Sequence, residues 1–279
     1  MTEIKFTKMH GLGNDFVMID LRRKKAPGLN KKAALICDRR FGIGCDQMIV
    51  IAPSKKADYR MTIYNADGSE VEMCGNGIRC FAKYLWDRKE RKIRRKKALD
   101  VETLAGIIRP RIVGGGMIEV DMGEPGLEGV VTTAAFKGQG PVVNRPLKAG
   151  GKTYTITAVS MGNPHCVIFT SDVDKIDLAG IGPDLERHKA FPNRTNVEFV
   201  EALNRKNIKV RVFERGSGAT LACGTGACAA VVACVLNKKT GRKVSVHLPG
   251  GTLKIEWTKS NRVLMTGPAE EVYSGVVNI

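Results

Sequence analysis

The sequence predicts an α/β fold of two pseudo-symmetric halves, each a curved, mostly antiparallel sheet wrapped around a central helix. Two observations lead to this prediction. Cys74-Gly75-Asn76-Gly77 opens an apolar run of helical spacing, and Cys223-Gly224-Thr225-Gly226 opens another such run 149 positions later. Short segments that alternate apolar and polar residues, as half-buried strands do, surround both runs. A repeat of this length indicates an internal duplication.

Other landmarks keep the same spacing of 149 positions. It carries Gly13-Asn14 onto Gly162-Asn163, Gln47 onto Asn196, Asn65 onto Glu214, and Ile63-Tyr64 onto Val212-Phe213. Because several separate motifs share one register, we place the halves at 1–122 and 123–267. The stretch from Gly123 to about residue 151 is the expected crossing between them.

The sequence of the first half predicts a strand, a turn and a second strand before the first helix. The turn lies at residues 11–14, and a helix is expected over 30–40, capped by Asn30 and ending near Gly42. A strand over 47–52 follows, and the alternation of Tyr59, Met61 and Ile63 predicts a half-buried strand that ends at Asn65. The central helix follows from four apolar residues at helical spacing: Ile78, Phe81, Ala82 and Leu85.

The second half repeats this order. Ile208, Val210 and Val212 alternate toward Glu214, and a Gly-rich turn at 216–218 follows. Residues 227–236 are apolar on every face, so this helix must be buried. Further strands are expected near residues 99–104, 107–113, 117–122, 153–160, 165–170, 197–202, 243–248 and 252–257.

Composition limits the class of protein. The chain has 279 residues, of which 43% are hydrophobic, which is enough for two ordinary domains. No window approaches the roughly 18 consecutive apolar residues of a membrane span, and the first ten residues lack the apolar core of a secretion signal. We therefore expect a cytoplasmic protein without a membrane partner.

The eight cysteines should be thiols in a reducing cytosol. No Cys-x-x-Cys pair occurs and there are only four histidines, so we expect no metal site. Cysteine is one of the most frequently buried residue types. We therefore assign Cys37, Cys80, Cys228 and Cys234 to the core.

The formal net charge of +17 raises the question of nucleic-acid binding. Residues 83–97 hold nine Lys/Arg against Asp87 and Glu90, so part of the excess is local. Cations at the end of a helix suit its dipole, and we interpret this segment as a solvated surface. The alternative is a nucleic-acid binding module, which retention on a polyanion that persists at moderate salt would favour.

The repeated Cys-Gly motif suits acid–base chemistry. The first turn of a helix carries unpaired N–H groups and partial positive charge, so a cysteine there is expected to have a lowered pKa. The neighbouring N–H groups suit a carboxylate: those of Gly75, Asn76, Gly224 and Thr225. A thiolate and a thiol on opposite sides of one carbon would invert a stereocentre, which makes Cys74 and Cys223 the candidate pair.

The polar landmarks also have structural interpretations. Asn14 and Asn163 follow glycine and suit turns, whereas Gln47, Asn65 and Asn196 suit exposed strand ends. His165 fits a surface turn, and Glu214-Arg215 an ordinary surface ion pair. Taken singly, none of these residues requires a function.

The motifs HGLGNDF, NADGSEVEMCGNGIRC, MGNPHCVIF, TNVEF and ERGSGATLACGTGACA resemble those of diaminopimelate epimerase from His10 to about Pro268. The resemblance implies a cofactor-independent epimerase that interconverts LL- and meso-2,6-diaminopimelate in lysine and peptidoglycan precursor synthesis. It also implies a cleft between two α/β halves, a last strand (about 268–279) that returns to the first half, and a homodimer.

Site residues carried over from the resemblance are as follows. Cys74 and Cys223 are the two acid/base thiols, and His165 with Glu214 adjusts their pKa values. The reacting carboxylate is held by Gly75-Asn76 and Gly224-Thr225. The other implied substrate contacts are Asn14, Gln47, Asn65, Asn163, Asn196, Glu214 and Arg215.

The nearest alternative is a proline or hydroxyproline racemase-type enzyme, which also uses paired thiols. Those enzymes are expected to carry His after the Cys-Gly pair, where this chain has Asn76. The chain departs from the family pattern at Phe213, where Trp is common, at Ala219, where Glu is common, and in its heavily basic 88–97 stretch. None of these departures involves a candidate proton carrier.

Overall fold

The structure is a computed structural model that describes residues 3–130 and 140–278. The chain divides into two compact units. Unit 1 comprises Met1–Asp121 and Thr266–Ile279, and unit 2 comprises Met122–Met265. The C-terminal segment thus belongs to the same unit as the N terminus.

The elements of the first part of the chain are β1 (Glu3–Gly11), β2 (Asn14–Asp20), α1 (Leu29–Cys37), β3 (Gln47–Ala52), β4 (Tyr59–Asn65), β5 (Glu70–Val71), α2 (Gly75–Asp87), α3 (Arg91–Lys96), β6 (Val101–Thr103), β7 (Gly106–Ile108), β8 (Arg111–Ile112) and β9 (Ile118–Asp121). The later elements are β10 (Arg145–Ala149), β11 (Lys152–Ser160), β12 (Pro164–Phe169), α4 (Leu178–Glu186), β13 (Asn196–Asn204), β14 (Asn207–Glu214), β15 (Gly218–Thr220), α5 (Gly224–Leu236), β16 (Lys243–Leu248), β17 (Gly251–Trp257), β18 (Val263–Gly267) and β19 (Glu270–Asn278).

Unit 1 contains a sheet of order β19-β1-β2-β3-β4-β6-β7, with β5 paired to β4. Its neighbours are antiparallel except for the parallel pairs β2–β3 and β4–β6. Helix α2 packs against β1, β2, β3 and β4. Its apolar side chains, among them Ile78, Phe81 and Leu85, are fully buried, so the predicted central helix is confirmed for this unit.

Unit 2 repeats this arrangement. Its strands follow the order β10-β11-β12-β13-β14-β16-β17-β18, with β15 paired to β14. Helix α5 packs against β11, β12, β13, β14, β16 and β17. Its residues from Ala227 to Cys234 are all buried, which confirms the expectation drawn from its uniformly apolar sequence.

The duplication extends to the hydrogen-bond register. Moving β1, α1 and α2 along the chain by 149 positions gives the bounds of β11, α4 and α5. The parallel pair β2–β3 sets Phe16 opposite Gln47, and β12–β13 sets His165 opposite Asn196. A slip of one residue would turn each side chain to the other face of its sheet, so equivalent residues occupy equivalent faces.

Two helices differ from what the sequence predicted. The first helix begins at Leu29, and its cap is Gly28 with a φ of 74°, not Asn30; it ends at Cys37, before Gly42. Helix α4 was not predicted, because Pro183 and two glycines interrupt its pattern. Asp177 caps α4 by accepting a hydrogen bond from the backbone N–H of Gly180.

The predicted core cysteines Cys37, Cys80, Cys228 and Cys234 are all buried. Among the described residues, no helix is both long enough and apolar enough to cross a membrane.

Candidate active site

Cys74 lies at the start of α2 in unit 1, as the residue before the first helical position. Its backbone is extended, with φ of −135° and ψ of 119°. The thiol is 3.7 Å from Oδ1 of Asn14, and the same oxygen accepts a hydrogen bond of 3.1 Å from Nδ2 of Asn76. A thiol and two amides therefore meet at the N terminus of this helix, where the first N–H groups have no acceptor within the helix.

Gln47 and Asn65 form a second polar pair in unit 1. They face each other across the antiparallel strands β3 and β4, and Nε2 of Gln47 donates to Oδ1 of Asn65 over 2.9 Å. Nδ2 of Asn65 donates to Ser69 at 3.0 Å. These contacts fix the two amides at the strand ends.

The side chain of Asn14 is fixed by a group of charged residues that the sequence analysis missed. Its Nδ2 donates to Oδ2 of Asp46 at 2.8 Å, and Arg39 bridges Asp46 and Asp15. Burial opposes the ionisation of Asp15, but hydrogen bonds from Arg39 and Lys8 prevail and lower its pKa to about 2. Asp46 directly precedes the candidate residue Gln47 in sequence, and this position could have indicated that it lies near the site.

Cys223 occupies the equivalent position at the start of α5 in unit 2, and its side chain is buried. The backbone N–H of Gly226 points to its sulfur at 3.4 Å, and Oγ1 of Thr225 lies 3.5 Å from the same atom. Nδ2 of Asn163 donates to Thr225 Oγ1 at 3.4 Å. The thiol of Cys223, the hydroxyl of Thr225 and the amide of Asn163 therefore form one series of contacts at the start of the helix.

His165 is buried and contacts the Asn163 end of this series. Its Nε2 lies 3.0 Å from Oδ1 of Asn163, and its Nδ1 lies 2.7 Å from Oε1 of Glu198. His165 and Glu198 are both completely inaccessible to solvent, so the interpretation of His165 as a surface turn residue was wrong. Glu198 was also missed, although a Glu within the apolar strand sequence of residues 197–200 is unusual enough to signal it.

Asn196 and Arg215 are joined through the backbone. Oδ1 of Asn196 accepts the N–H of Arg215 at 3.0 Å, and its Nδ2 donates to the carbonyl of Pro164. The Arg215 guanidinium donates to the carbonyl of Asn193 at 3.1 Å.

Glu214 accepts a hydrogen bond of 2.5 Å from Oγ1 of Thr220. Burial raises the pKa of Glu214, and the charge of Glu198 adds to the rise, whereas hydrogen bonds from Thr220 and Cys223 oppose it.

The prediction of a lowered thiol pKa is wrong for Cys223. Burial raises the pKa of Cys223 well above its ordinary value, and the negative charges of Glu214 and Glu198 raise it further. The hydrogen bonds from Thr225 and from the N–H of Gly226 lower it, as expected for a helix start, but they are the smaller influence. The cause is desolvation of the charged form.

Comparison with known proteins decides the family. The family model for diaminopimelate epimerase matches residues 6–128 and 157–272. The chain belongs to the diaminopimelate epimerase family. It is 53% identical to the diaminopimelate epimerase of Pelotomaculum thermopropionicum, with 97% of each chain covered. It is 51% identical to diaminopimelate epimerase 1 of Nostoc sp., with 98% of this chain and 99% of the relative covered.

Solved structures show the same fold at low sequence identity. A phenazine biosynthesis protein of the PhzF family from Bacillus anthracis has a TM-score of 0.71 at 16% identity, and each chain is covered completely. A hydroxyproline epimerase from Agrobacterium vitis has a TM-score of 0.69 at 12% identity, with 99% of this chain and 92% of that chain covered. The α/β fold predicted from the duplication is thus confirmed, and membership of the diaminopimelate epimerase family makes the chain an isomerase.

Proposed function

We propose that the chain interconverts LL- and meso-2,6-diaminopimelate, in lysine and peptidoglycan precursor synthesis, by a two-thiol reaction that needs neither pyridoxal phosphate nor metal. One observation carries the two-thiol proposal. Each duplicated unit begins its central helix with a cysteine whose sulfur contacts a polar side chain, Asn14 beside Cys74 and Thr225 beside Cys223. The high identity to diaminopimelate epimerases supports the substrate.

The proton transfer is balanced between the two sulfurs. The thiolate of one cysteine takes the α-proton and becomes a thiol, and the C–H electron pair stays on carbon. The thiol of the other cysteine then gives its proton to the opposite face of that carbon and becomes a thiolate. For one substrate isomer Cys74 is the base and Cys223 is the acid. The roles reverse for the other isomer.

The α-hydrogen of an amino acid is a weak acid, so the developing negative charge must meet preorganised donors. We assign this task to N–H groups in the first helical turns, those of Gly75-Asn76 and Gly224-Thr225. His165 and Glu214 set the protonation of the thiols. The remaining contacts to the amino and carboxylate groups of substrate are assigned to Asn14, Gln47, Asn65, Asn163, Asn196, Glu214 and Arg215.

We also propose a cytoplasmic homodimer with no nucleic-acid partner. Many cations of the basic 83–97 segment are engaged within the chain: Lys92 and Lys96 lie within 3.7 Å of Asp58, and the Arg94 guanidinium stacks on Trp86 at 3.9 Å. Light scattering at several concentrations tests the dimer. Retention on heparin at moderate salt would contradict the absence of a polyanion partner.

The function is tested by incubating reduced protein with LL-diaminopimelate in deuterated water, without pyridoxal phosphate or metal, and separating the isomers. Wild-type protein should produce the meso isomer labelled at the inverted carbon. Cys74→Ala and Cys223→Ala should each lower the rate by about 10²–10⁴-fold, the usual contribution of a proton carrier.

Cys234→Ala is the matched control, because Cys234 is buried on α5 and has no assigned role; it should retain the rate. Full activity of either Cys74→Ala or Cys223→Ala would refute the two-thiol mechanism. Absence of any isomerisation by wild-type protein would refute the assignment of diaminopimelate as the substrate.

A further inference from the structure

Glu198 and His165 form a buried ionisable pair in unit 2. Both side chains have no solvent exposure, and their contact is 2.7 Å between Oε1 of Glu198 and Nδ1 of His165. The second carboxylate oxygen, Oε2, is buried without a hydrogen-bond partner in the described part of the chain. Burying ionisable groups with incomplete hydrogen bonding is costly, which raises the question of what role this pair has.

The fold itself does not require this pair. At the equivalent positions of unit 1, 149 residues earlier, stand Phe16 and Ile49, and both are fully buried. Their placement is the same: a Cβ added to Gly77 would meet Ile49 and Cys74, and one added to Gly226 would meet Glu198 and Cys223. The same backbone therefore accommodates an apolar pair beneath one thiol and an ionisable pair beneath the other.

A continuous series of contacts leads from Glu198 to the sulfur of Cys223. It runs from Glu198 to His165 at 2.7 Å, to Asn163 at 3.0 Å, to Thr225 at 3.4 Å and to Cys223 at 3.5 Å. Glu198 and Oδ1 of Asn163 thus contact the two ring nitrogens of His165 from opposite ends of the series, and together they fix the orientation of the ring.

We propose that Glu198 is a positioning residue for the epimerase reaction, which holds the ring of His165 in place and thereby orients Asn163 and Thr225 beside Cys223. Glu198 acts through His165 and contacts no reacting atom. Burial raises the pKa values of Glu214 on β14, Cys166 on β12 and Cys223, and the charge of Glu198 adds to each rise. This inference rests on the proposed two-thiol mechanism.

The test compares Glu198→Gln with a double variant, His165→Phe with Glu198→Ile, that copies the pair of unit 1. Glu198→Gln keeps an acceptor for Nδ1 but removes the charge. We expect its kcat to fall about 10- to 100-fold, as is usual when a supporting hydrogen-bond partner is altered. Nitrogen NMR at pH 7 should show that the ring-nitrogen signals of His165 in Glu198→Gln differ from those in wild-type protein.

The double variant separates positioning from folding. Replacement of a buried ion pair by apolar residues of similar size is often neutral or stabilising, so its Tm should equal or exceed that of wild type while kcat falls at least as far as in Glu198→Gln. Glu201→Gln, three positions along the same strand, is the control and should keep wild-type kcat.

Two results would overturn the inference: wild-type kcat in Glu198→Gln, or a loss of kcat that accompanies a lower Tm while the His165 signals stay unchanged. Cys223→Ala is assayed in parallel. If Cys223→Ala is active, the two-thiol mechanism fails; if it is inactive while Glu198→Gln behaves as wild type, only the role of Glu198 fails.

Discussion

Arg79 and Pro268 are joined by a hydrogen bond of 3.1 Å from Nε of the arginine to the carbonyl of the proline, although 189 positions separate them in sequence. Arg79 is fully buried on α2 and also donates to the carbonyl of Gly75 at 3.2 Å. It therefore ties the segment that leads into β19 to the helix that begins after Cys74. Unit 2 has Cys228 at the equivalent position.

Arg79→Met should destabilise the protein, because methionine fills part of the volume but leaves the Pro268 carbonyl without this donor. Loss of one partner of a buried hydrogen bond costs about 1–3 kcal/mol, and urea denaturation measures the free energy of unfolding. Arg91→Met, on the exposed surface of α3, should change it little. Equal stability of the two variants would show that the Arg79 contacts contribute nothing.

Asp15→Asn should lower the free energy of unfolding at neutral pH but not in strong acid. The folded pKa of Asp15 is about 2, below its ordinary value of 3.8. The stabilisation is therefore complete above about pH 4 and is lost as the pH falls toward 2. Urea denaturation should show the same difference from wild type at pH 7 and pH 5 and a smaller difference at pH 3.

Asp87→Asn, which removes only a surface ion pair with Lys83, is the control for the Asp15 measurement and should have little effect at any pH. A constant difference between Asp15→Asn and wild type across the pH range would contradict the assignment.

Glu214→Gln should be more stable than wild type at pH 7 and less active. The pKa of Glu214 is raised above 4.5, mainly by burial, so its ionised form costs stability as the pH rises from 4.5 through the folded pKa. Glutamine removes that cost and still accepts the hydrogen bond from Thr220. The Tm difference from wild type should vanish below pH 4.5, and a variant less stable than wild type at pH 7 would disprove the sign.

Gly182→Ala should destabilise unit 2. A Cβ at Gly182 would lie 2.4 Å from the nearest ring atom of Phe213, and overpacking of this kind typically costs about 1–3 kcal/mol. Calorimetry should show a lower Tm, and adding Phe213→Leu should recover part of the loss. Gly114→Ala is the control, since nothing lies within 4 Å of its added Cβ. A Tm as high as that of the control would argue against close packing here.

The sequence was a good guide to the elements that repeat. The motif at Cys74 predicted a helix start, and α2 and α5 begin at the residues after the two cysteines. Apolar alternation predicted β14, whose burial alternates in the same way. The same register would have revealed α4, whose local propensity Pro183 obscures, since it is the counterpart of α1.

The electrostatics of the candidate site could not be predicted from motifs. A helix start favours a thiolate, but the pKa of Cys223 depends on how deeply the fold buries it and on which carboxylates lie nearby. Glu198 is distant from Cys223 in sequence, and only the parallel pairing of β12 with β13 brings it to His165. Side-chain burial and cross-strand neighbours are tertiary properties.

The equal spacing of the two copies ends just after their central helices. Lys89 and Lys238, 149 positions apart, both have a left-handed backbone, with φ of 53° and 57°. Beyond these lysines the two copies differ in length. The separation along the chain between paired residues of β4 and β6 is four positions longer than that between the equivalent paired residues of β14 and β16. The two copies therefore accommodate different lengths of chain at this junction, so we expect it to accept an inserted epitope tag or fluorescent reporter.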